Sequence, residues 1–226
     1  MSRLLALVEG QTEEDFVKSV LAPYLVNRGY TSVSPRLLGN ARQRNRRGGI
    51  KAWTSARNDI LSHLKQDQGI IVTTMVDYYG LPQTWPGRVQ APLQAFADRA
   101  ATVEREILKD VKDELGGNFD QRRFVPYVVM HEFEGLLFSD ATGFGRGIAR
   151  PDLSPKFQAI RDEFPTPEEI NDSLDTAPSK RVEGLIPGYQ KPLMGALAAR
   201  EIGLDTIRRE CPLFAGWIEE LEQRVD

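Results

Sequence analysis

With 226 residues, 41% of them hydrophobic, and a net charge of −3, the chain is long enough for one sizeable core and too acidic overall for a generic nucleic-acid binder. One cysteine, Cys211, excludes an internal disulfide, and two histidines, His63 and His131, leave too few soft ligands for a zinc cage, so any metal must be held by oxygen, as Mg²⁺ or Mn²⁺ is. No run is long enough to cross a bilayer, and the N-terminal apolar stretch is too short and too soon followed by acids for a secretory signal, so a cytoplasmic protein without membrane attachment is expected.

Leu4 to Val8 reads as a strand buried on both faces, and such a strand delivers the next residue, Glu9, to the carboxyl edge of a parallel sheet. Gly10 makes the turn. Thr12 is predicted to cap the following helix, with Thr12-x-x-Asp15 as a capping box, which puts Glu13 on the first turn close to Glu9. That helix is kinked or interrupted at Pro23 and ends near Gly29, and Thr31 to Leu38 is a candidate strand that Pro35 confines to an edge or a bend.

Charge is distributed unevenly. Between Phe16 and Asn58 there is no acid but nine basic residues, which leaves 20 basic against 32 acidic residues elsewhere. Arg42, Arg44, Arg46, Arg47, Lys51 and Arg57 in and after the loop from Gly39 to Gly49 suit contacts to phosphates; a solvated loop or a protein-binding surface is the alternative. Ile50, Trp53, Ile60, Leu61 and Leu64 then fall at helical spacing.

Gly69 to Val76 is a second strand of the buried kind, ending on Asp77, and an aromatic, turn-rich loop follows in which Tyr78 and Tyr79 either stack on bases or pack beneath the loop. A long helix, with Pro92 near its start, carries Leu93, Phe96, Ala97, Ala100, Val103, Ile107, Val111 and Leu115 on one stripe and stops at Gly116-Gly117. Arg123 to Met130 reads as a third apolar strand. It ends on His131-Glu132-Phe133-Glu134, and a short helix lies behind it. Strands alternating with amphipathic helices imply a mostly parallel α/β sheet over about residues 1 to 140.

From about residue 141 to 226 the chain reads as a helical extension, with helix starts at Ser154-Pro155, Thr166-Pro167-Glu168-Glu169 and Asp205. Leu213, Phe214, Trp217, Ile218 and Leu221 are expected to pack onto the sheet. Lys180, Arg181 and Lys191 join the candidate nucleic-acid contacts.

Glu9, Asp77 and one of Glu132 or Glu134, with Glu13 beside them, make an open oxygen-ligand set of the kind that Mg²⁺ tolerates and that works on phosphate esters. Glu134 is preferred to Glu132 because the later residue can turn back over the sheet edge. His131 is a possible general base, although beside two glutamates an orienting hydrogen bond is the plainer role. For the acids, the plain alternative is that each caps a helix or pairs with an arginine.

The motifs Val8-Glu9-Gly10-x-Thr12-Glu13, Val76-Asp77-Tyr78-Tyr79-Gly80 and His131-Glu132-Phe133-Glu134-Gly135-Leu136-Leu137-Phe138 resemble the bacterial domain-of-unknown-function 4276 family, related to the Toprim (topoisomerase-primase) superfamily. The likeness continues through Ser179-Lys180-Arg181 and Cys211-Pro212-Leu213-Phe214-x-x-Trp217, nearly the whole chain. It implies a compact sheet of mostly parallel strands flanked by helices. It also implies an Mg²⁺ site that breaks or joins phosphodiester bonds, with Glu9 as the first-strand glutamate, Asp77 as the first aspartate of an Asp-x-Asp, and Glu13 as a second-metal acid. Tyr79 stands where the second aspartate belongs, so Glu132 or Glu134 would have to replace it. An ABC-type ATPase partner encoded nearby and a part in defence against phage are further implications. The reading is a Toprim-like Mg²⁺-dependent nuclease; the alternative is a regulatory or nucleic-acid-binding subunit of an ATPase complex that cleaves nothing.

Overall fold

The computed structural model describes residues 2–39, 52–171 and 175–225. Its centre is a five-stranded sheet in which β1 (Arg3–Val8) lies between β2 (Ser32–Leu37) and β3 (Ile70–Asp77), and β3 pairs in turn with β4 (Phe124–Val125) and β5 (Val128–Val129). Every one of these pairings is parallel. The fold is therefore α/β, as the alternation of strand and helix patterns predicts.

Side chains alternate across the sheet and both faces are covered. Leu4, Ala6 and Val8 of β1, with Ile71 and Met75 of β3, enter one apolar cluster, while Leu5, Leu7, Val72 and Val76 enter the other. The second cluster is closed by α3 (Trp53–Gln66) and α4 (Phe96–Leu115). The first receives α1 (Gln11–Phe16), α2 (Ala22–Asn27) and the helical region that follows the sheet. Residues from both sides of position 140 share it.

Several local details differ from expectation for identifiable reasons. Gly10, not Thr12, precedes the first helical turn of α1, and the Glu13 carboxylate accepts its N–H at 2.9 Å. Thr12 is buried instead against α9 (Lys191–Ile202), where a Cβ on Gly195 would come within 2.8 Å of its methyl group. A π-helical turn, Val17–Leu21, separates α1 from α2 just ahead of Pro23, giving the proline ring room within a nearly continuous helix. Proline at position 35 is tolerated because β2 is an edge strand, with Pro35 opposite Ala6. Pro92 and Leu93 lie in a separate 3₁₀ turn before α4, and Leu93 is exposed.

The third strand is the largest local correction. Pro126 lacks the N–H needed for a continuous ladder and divides it into β4 and β5. Two buried threonines of β3 bridge the break. Thr73 Oγ1 donates to Val125 O at 2.6 Å, while Thr74 Oγ1 donates to Tyr127 O at 3.0 Å and accepts Tyr127 N–H at 2.9 Å.

Beyond the sheet run α5 (Phe133–Leu136), α6 (Ala141–Gly147), α7 (Ser154–Arg161), α8 (Pro178–Leu185), α9, α10 (Leu204–Glu210) and α11 (Pro212–Glu222). Thr166-Pro167-Glu168-Glu169 forms only a 3₁₀ turn, and the buried Glu168 carboxylate reaches instead to the start of α11, accepting Leu213 N–H and Phe214 N–H at 2.9 Å each. Phe214, Trp217, Ile218 and Leu221 pack on the sheet as expected, and the Trp217 indole N–H donates to Thr73 Oγ1 at 2.9 Å. No helix among the described residues is long and apolar enough to cross a membrane.

Because Thr73 joins the indole to β4 through one hydroxyl, Thr73→Val keeps the shape but leaves a buried N–H and a buried carbonyl unpaired. It is expected to lower stability by about 2 kcal/mol, measured by denaturant unfolding.

Candidate functional site

At the carboxyl edge of the sheet, β1 hands over to Glu9, β3 ends on Asp77, and the chain leaving β5 reaches Glu132 and Glu134 within five residues. Glu13 joins them from the first turn of α1. All five acids named from the sequence therefore meet at one mouth, because every strand that feeds it runs the same way.

Backbone amides fix four of the carboxylates. Glu9 Oε2 accepts Asp77 N–H at 3.1 Å, Asp77 Oδ1 accepts Phe133 N–H at the start of α5 at 2.9 Å, and Glu132 Oε2 accepts Ser179 N–H in the first turn of α8 at 2.9 Å. Glu13 holds Gly10 N–H, as described. Helix capping is thus part of what these acids do, as the plain alternative expected, but no arginine pairs with any of the five among the described residues. Glu9, Asp77 and Glu132 each keep a second oxygen without a hydrogen-bond partner among the described residues.

The charge is poorly compensated. Glu13 and Glu134 are 6% and 2% exposed, and burial, opposed by the nearby amides and by Lys191, pushes the carboxyl of each up to about 7. Asp77 is driven well above the ordinary carboxylate range by desolvation and then by the fields of Glu9, Glu13, Glu134 and Glu132. Glu9 is raised as well, by burial first. Among the described residues a single cation answers them: Lys191 Nζ stands 3.5 Å from Glu134 Oε2. Burial opposes its charge, yet Glu134, Glu132 and Asp77 together hold its pKa above the ordinary lysine value.

A hard divalent cation fits this donor set in kind: the donors are carboxylate oxygens, they are desolvated, and their negative charge exceeds the positive charge beside them. A Cβ on Gly80 would fall 3.0 Å from Glu9 Oε1, so only the bare backbone of a glycine fits this closely against that carboxylate. In the arrangement seen, no three His, Cys, Asp or Glu side chains among the described residues are grouped closely enough to hold an ion. Coordination would therefore require the free oxygens to rotate inward.

The other candidates fall elsewhere. His131 is buried and does not orient a glutamate; its ring packs against Tyr79, Phe96 and Tyr78 at centroid distances of 5.2, 5.7 and 6.1 Å. Desolvation, with the charges of Arg99 and Arg88, lowers its pKa to about 4, so it is neutral near pH 7. Tyr79 stands beside it, its hydroxyl bonded to Asn171, and supplies no carboxylate where an Asp-x-Asp would.

Arg57 ties α3 to α4 through Asp110 and Glu114 at 3.4 and 2.9 Å. Lys180 pairs with Glu183 at 2.7 Å, and Arg181 pairs with Glu163 at 3.0 Å while lying over the Phe164 ring. Arg42, Arg44, Arg46, Arg47 and Lys51 lie outside the described residues. Lys191, read from the sequence as a nucleic-acid contact, is the countercharge of the acids. Sequence reasoning missed this role and also Tyr189, whose hydroxyl is buried beside Lys191's helix with no partner among the described residues. The Tyr189-Gln190-Lys191 cluster was the available signal, but nothing local ties it to Glu134.

The raised carboxyls set a pH dependence. Glu13 and Glu134 bind protons more tightly in the folded protein than in the unfolded chain, so their contribution is complete below about pH 4.5 and lost as pH rises through about 7. In metal-free buffer, Glu134→Gln is therefore expected to raise the melting temperature at pH 7.5 and to flatten its fall between pH 5 and 7.5, as thermal melts across pH would show.

No curated protein and no solved structure matches the chain. A family match does exist, and it runs from the last residue of β1 to the last residue of α11, taking in all five acids and Lys191. By that match, over residues 8–222, the chain belongs to the family described as Domain of unknown function (DUF4276).

Proposed function

We propose that the acidic mouth is the reaction centre of a Mg²⁺- or Mn²⁺-dependent nuclease acting on phosphodiester bonds of DNA or RNA. The observation that carries this reading is the convergence of five carboxylates, four of them with raised pKa, on one edge with Lys191 as their only cationic partner among the described residues. Such an arrangement is expensive to maintain unless a cation completes it.

Glu9 and Asp77 would hold the ion with Glu134 or Glu132, and Glu13 is placed to extend the site to a second one. A divalent ion held there would supply Lewis-acid chemistry, polarising a phosphoryl oxygen and lowering the pKa of water. The chain's own groups do the rest. The amides of Asp77, Phe133 and Ser179 fix one oxygen each of Glu9, Asp77 and Glu132, which restricts how the second oxygens can turn. Lys191 keeps Glu134 biased toward its ionised form, ready to coordinate, and brings a positive charge able to meet a phosphate. His131, walled in by aromatic rings, is not assigned the role of base.

The resemblance to Toprim proteins supports phosphodiester chemistry and adds an ABC-type ATPase as partner and phage defence as setting. A second reading, a regulatory or nucleic-acid-binding subunit that cleaves nothing, is favoured by two observations: Tyr79 at the second aspartate's place, and the absence among the described residues of a preassembled acidic trio.

Metal titration separates the two. With Mg²⁺ or Mn²⁺ at a hundredfold excess over its Kd, the wild-type melting temperature is expected to rise by roughly 5 to 10 °C. Glu9→Gln and Asp77→Asn should abolish that rise and cleavage together. Asparagine can still accept Phe133 N–H, so the apo fold survives the exchange. Equal melting shifts in wild type and both variants would sink the metal-dependent reading and leave the regulatory one.

A further inference from the structure

Beside the acidic mouth is a cleft of about 490 Å³ of a different character. Tyr79, Phe96 and His131 wall it with ring surface, Arg88 and Arg99 bring two guanidinium groups, and Glu169 is its one acid among the described residues. The volume lies within the roughly 300–1,000 Å³ usual for small-ligand sites. Tyr78 and Tyr79 directly follow Asp77, and His131 directly precedes Glu132, so the cleft and the acidic mouth share a wall.

Four features set this cleft apart from ordinary packing. Neither arginine has an acidic partner among the described residues: Arg88 donates to Leu81 O and the Tyr78 hydroxyl and lies over the Tyr78 ring at 4.1 Å, while Arg99 donates only to Gln94 O. Glu169 is engaged by the Thr166 hydroxyl at 3.3 Å. His131, 5% exposed, lies at the cleft's back wall with its Nδ1 buried and without a hydrogen-bond partner among the described residues. Phe96, finally, is only partly covered, so an aromatic face opens onto the cavity beside the two cations.

We propose that this cleft receives one nucleotide unit, its base against the ring surface of Phe96, Tyr79 and His131 and its phosphate between Arg88 and Arg99. Planar stacking surface next to guanidinium groups that have no acidic partner among the described residues matches a base joined to a phosphate better than it matches a carboxylate or an inorganic anion alone. The cleft would hold the nucleotide adjoining the phosphodiester presented to the acids, and in this it rests on the nuclease reading for the identity of the strand.

The test is equilibrium binding of a fluorescent single-stranded pentanucleotide in EDTA, where no metal-dependent cleavage occurs. AMP, adenosine and inorganic phosphate serve as competitors. Phe96→Leu and Arg99→Ala are each expected to weaken binding about 5- to 50-fold, and only Arg99→Ala should also reduce the salt slope, by about 0.7. Thermal melts check that both variants fold, and Arg88→Lys, which keeps the charge but loses the fork, should give a smaller loss than Arg99→Ala.

AMP should compete better than adenosine or phosphate. If AMP binds wild type and loses affinity in both variants while the pentanucleotide does not bind, the cleft takes a free nucleotide, not one within a strand. Unchanged affinity in Phe96→Leu and Arg99→Ala, or phosphate competing as well as AMP, would overturn the proposal. Failure here leaves the metal-induced melting shift and its loss in Asp77→Asn untouched. Failure of the metal site leaves this binding result standing.

Discussion

Negative charge gathered at the carboxyl edge of a parallel sheet has to be met by something, and in this protein it is met in part by backbone amides. The starts of α1, α5 and α8 converge on the edge, and each supplies an N–H to one of the acids: Gly10 to Glu13, Phe133 to Asp77, Ser179 to Glu132. Helix starts are the electropositive ends of their helices, so their convergence lowers the cost of holding carboxylates in a desolvated place. Partial charges of this kind cannot neutralise five acids, and the residue is visible in the raised pKa values and in the recruitment of Lys191 from a distant helix.

The same edge divides sharply in character over a few residues. Asp77 belongs to the acids, and Tyr78 and Tyr79 belong to the aromatic wall; Glu132 belongs to the acids, and His131 to the wall. The Tyr79 N–H donates to the His131 carbonyl at 3.2 Å, joining the two crossing segments just past the ends of β3 and β5. Anion-repelling and anion-attracting surfaces are thereby held side by side by main-chain pairing, which places them more rigidly than mobile side chains alone would.

Much of the fold was legible because its signals were local. Apolar runs marked β1 and β3, the residue after each run was an acid, and a strand covered on both faces has only one way to present such an acid. What could not be read was whatever depended on partners far along the chain. Thr73 and Thr74 look like interruptions of an apolar strand until Pro126 is seen to break the neighbouring ladder that they repair. Lys191 lies 57 residues from Glu134, and Glu168 lies 45 from the amide of Leu213 that it accepts; no periodicity links such pairs. Thr12 carried the usual capping signature, but Gly195's close approach gave it a packing role, and Glu13 reached the free amide first. His131 was judged by its neighbours in sequence, two glutamates, whereas its neighbours in space are three aromatic rings and two arginine charges.

The bond between Trp217 and Thr73 spans 144 positions. It joins the middle of the central strand to a helix translated long after that strand has left the ribosome. Until α11 arrives, one face of β3 lacks the indole that covers it, and the Thr73 hydroxyl bonds only the Val125 and Thr74 carbonyls. A nascent chain can therefore pair its first strands but cannot cover that face of the sheet until α11 has been made.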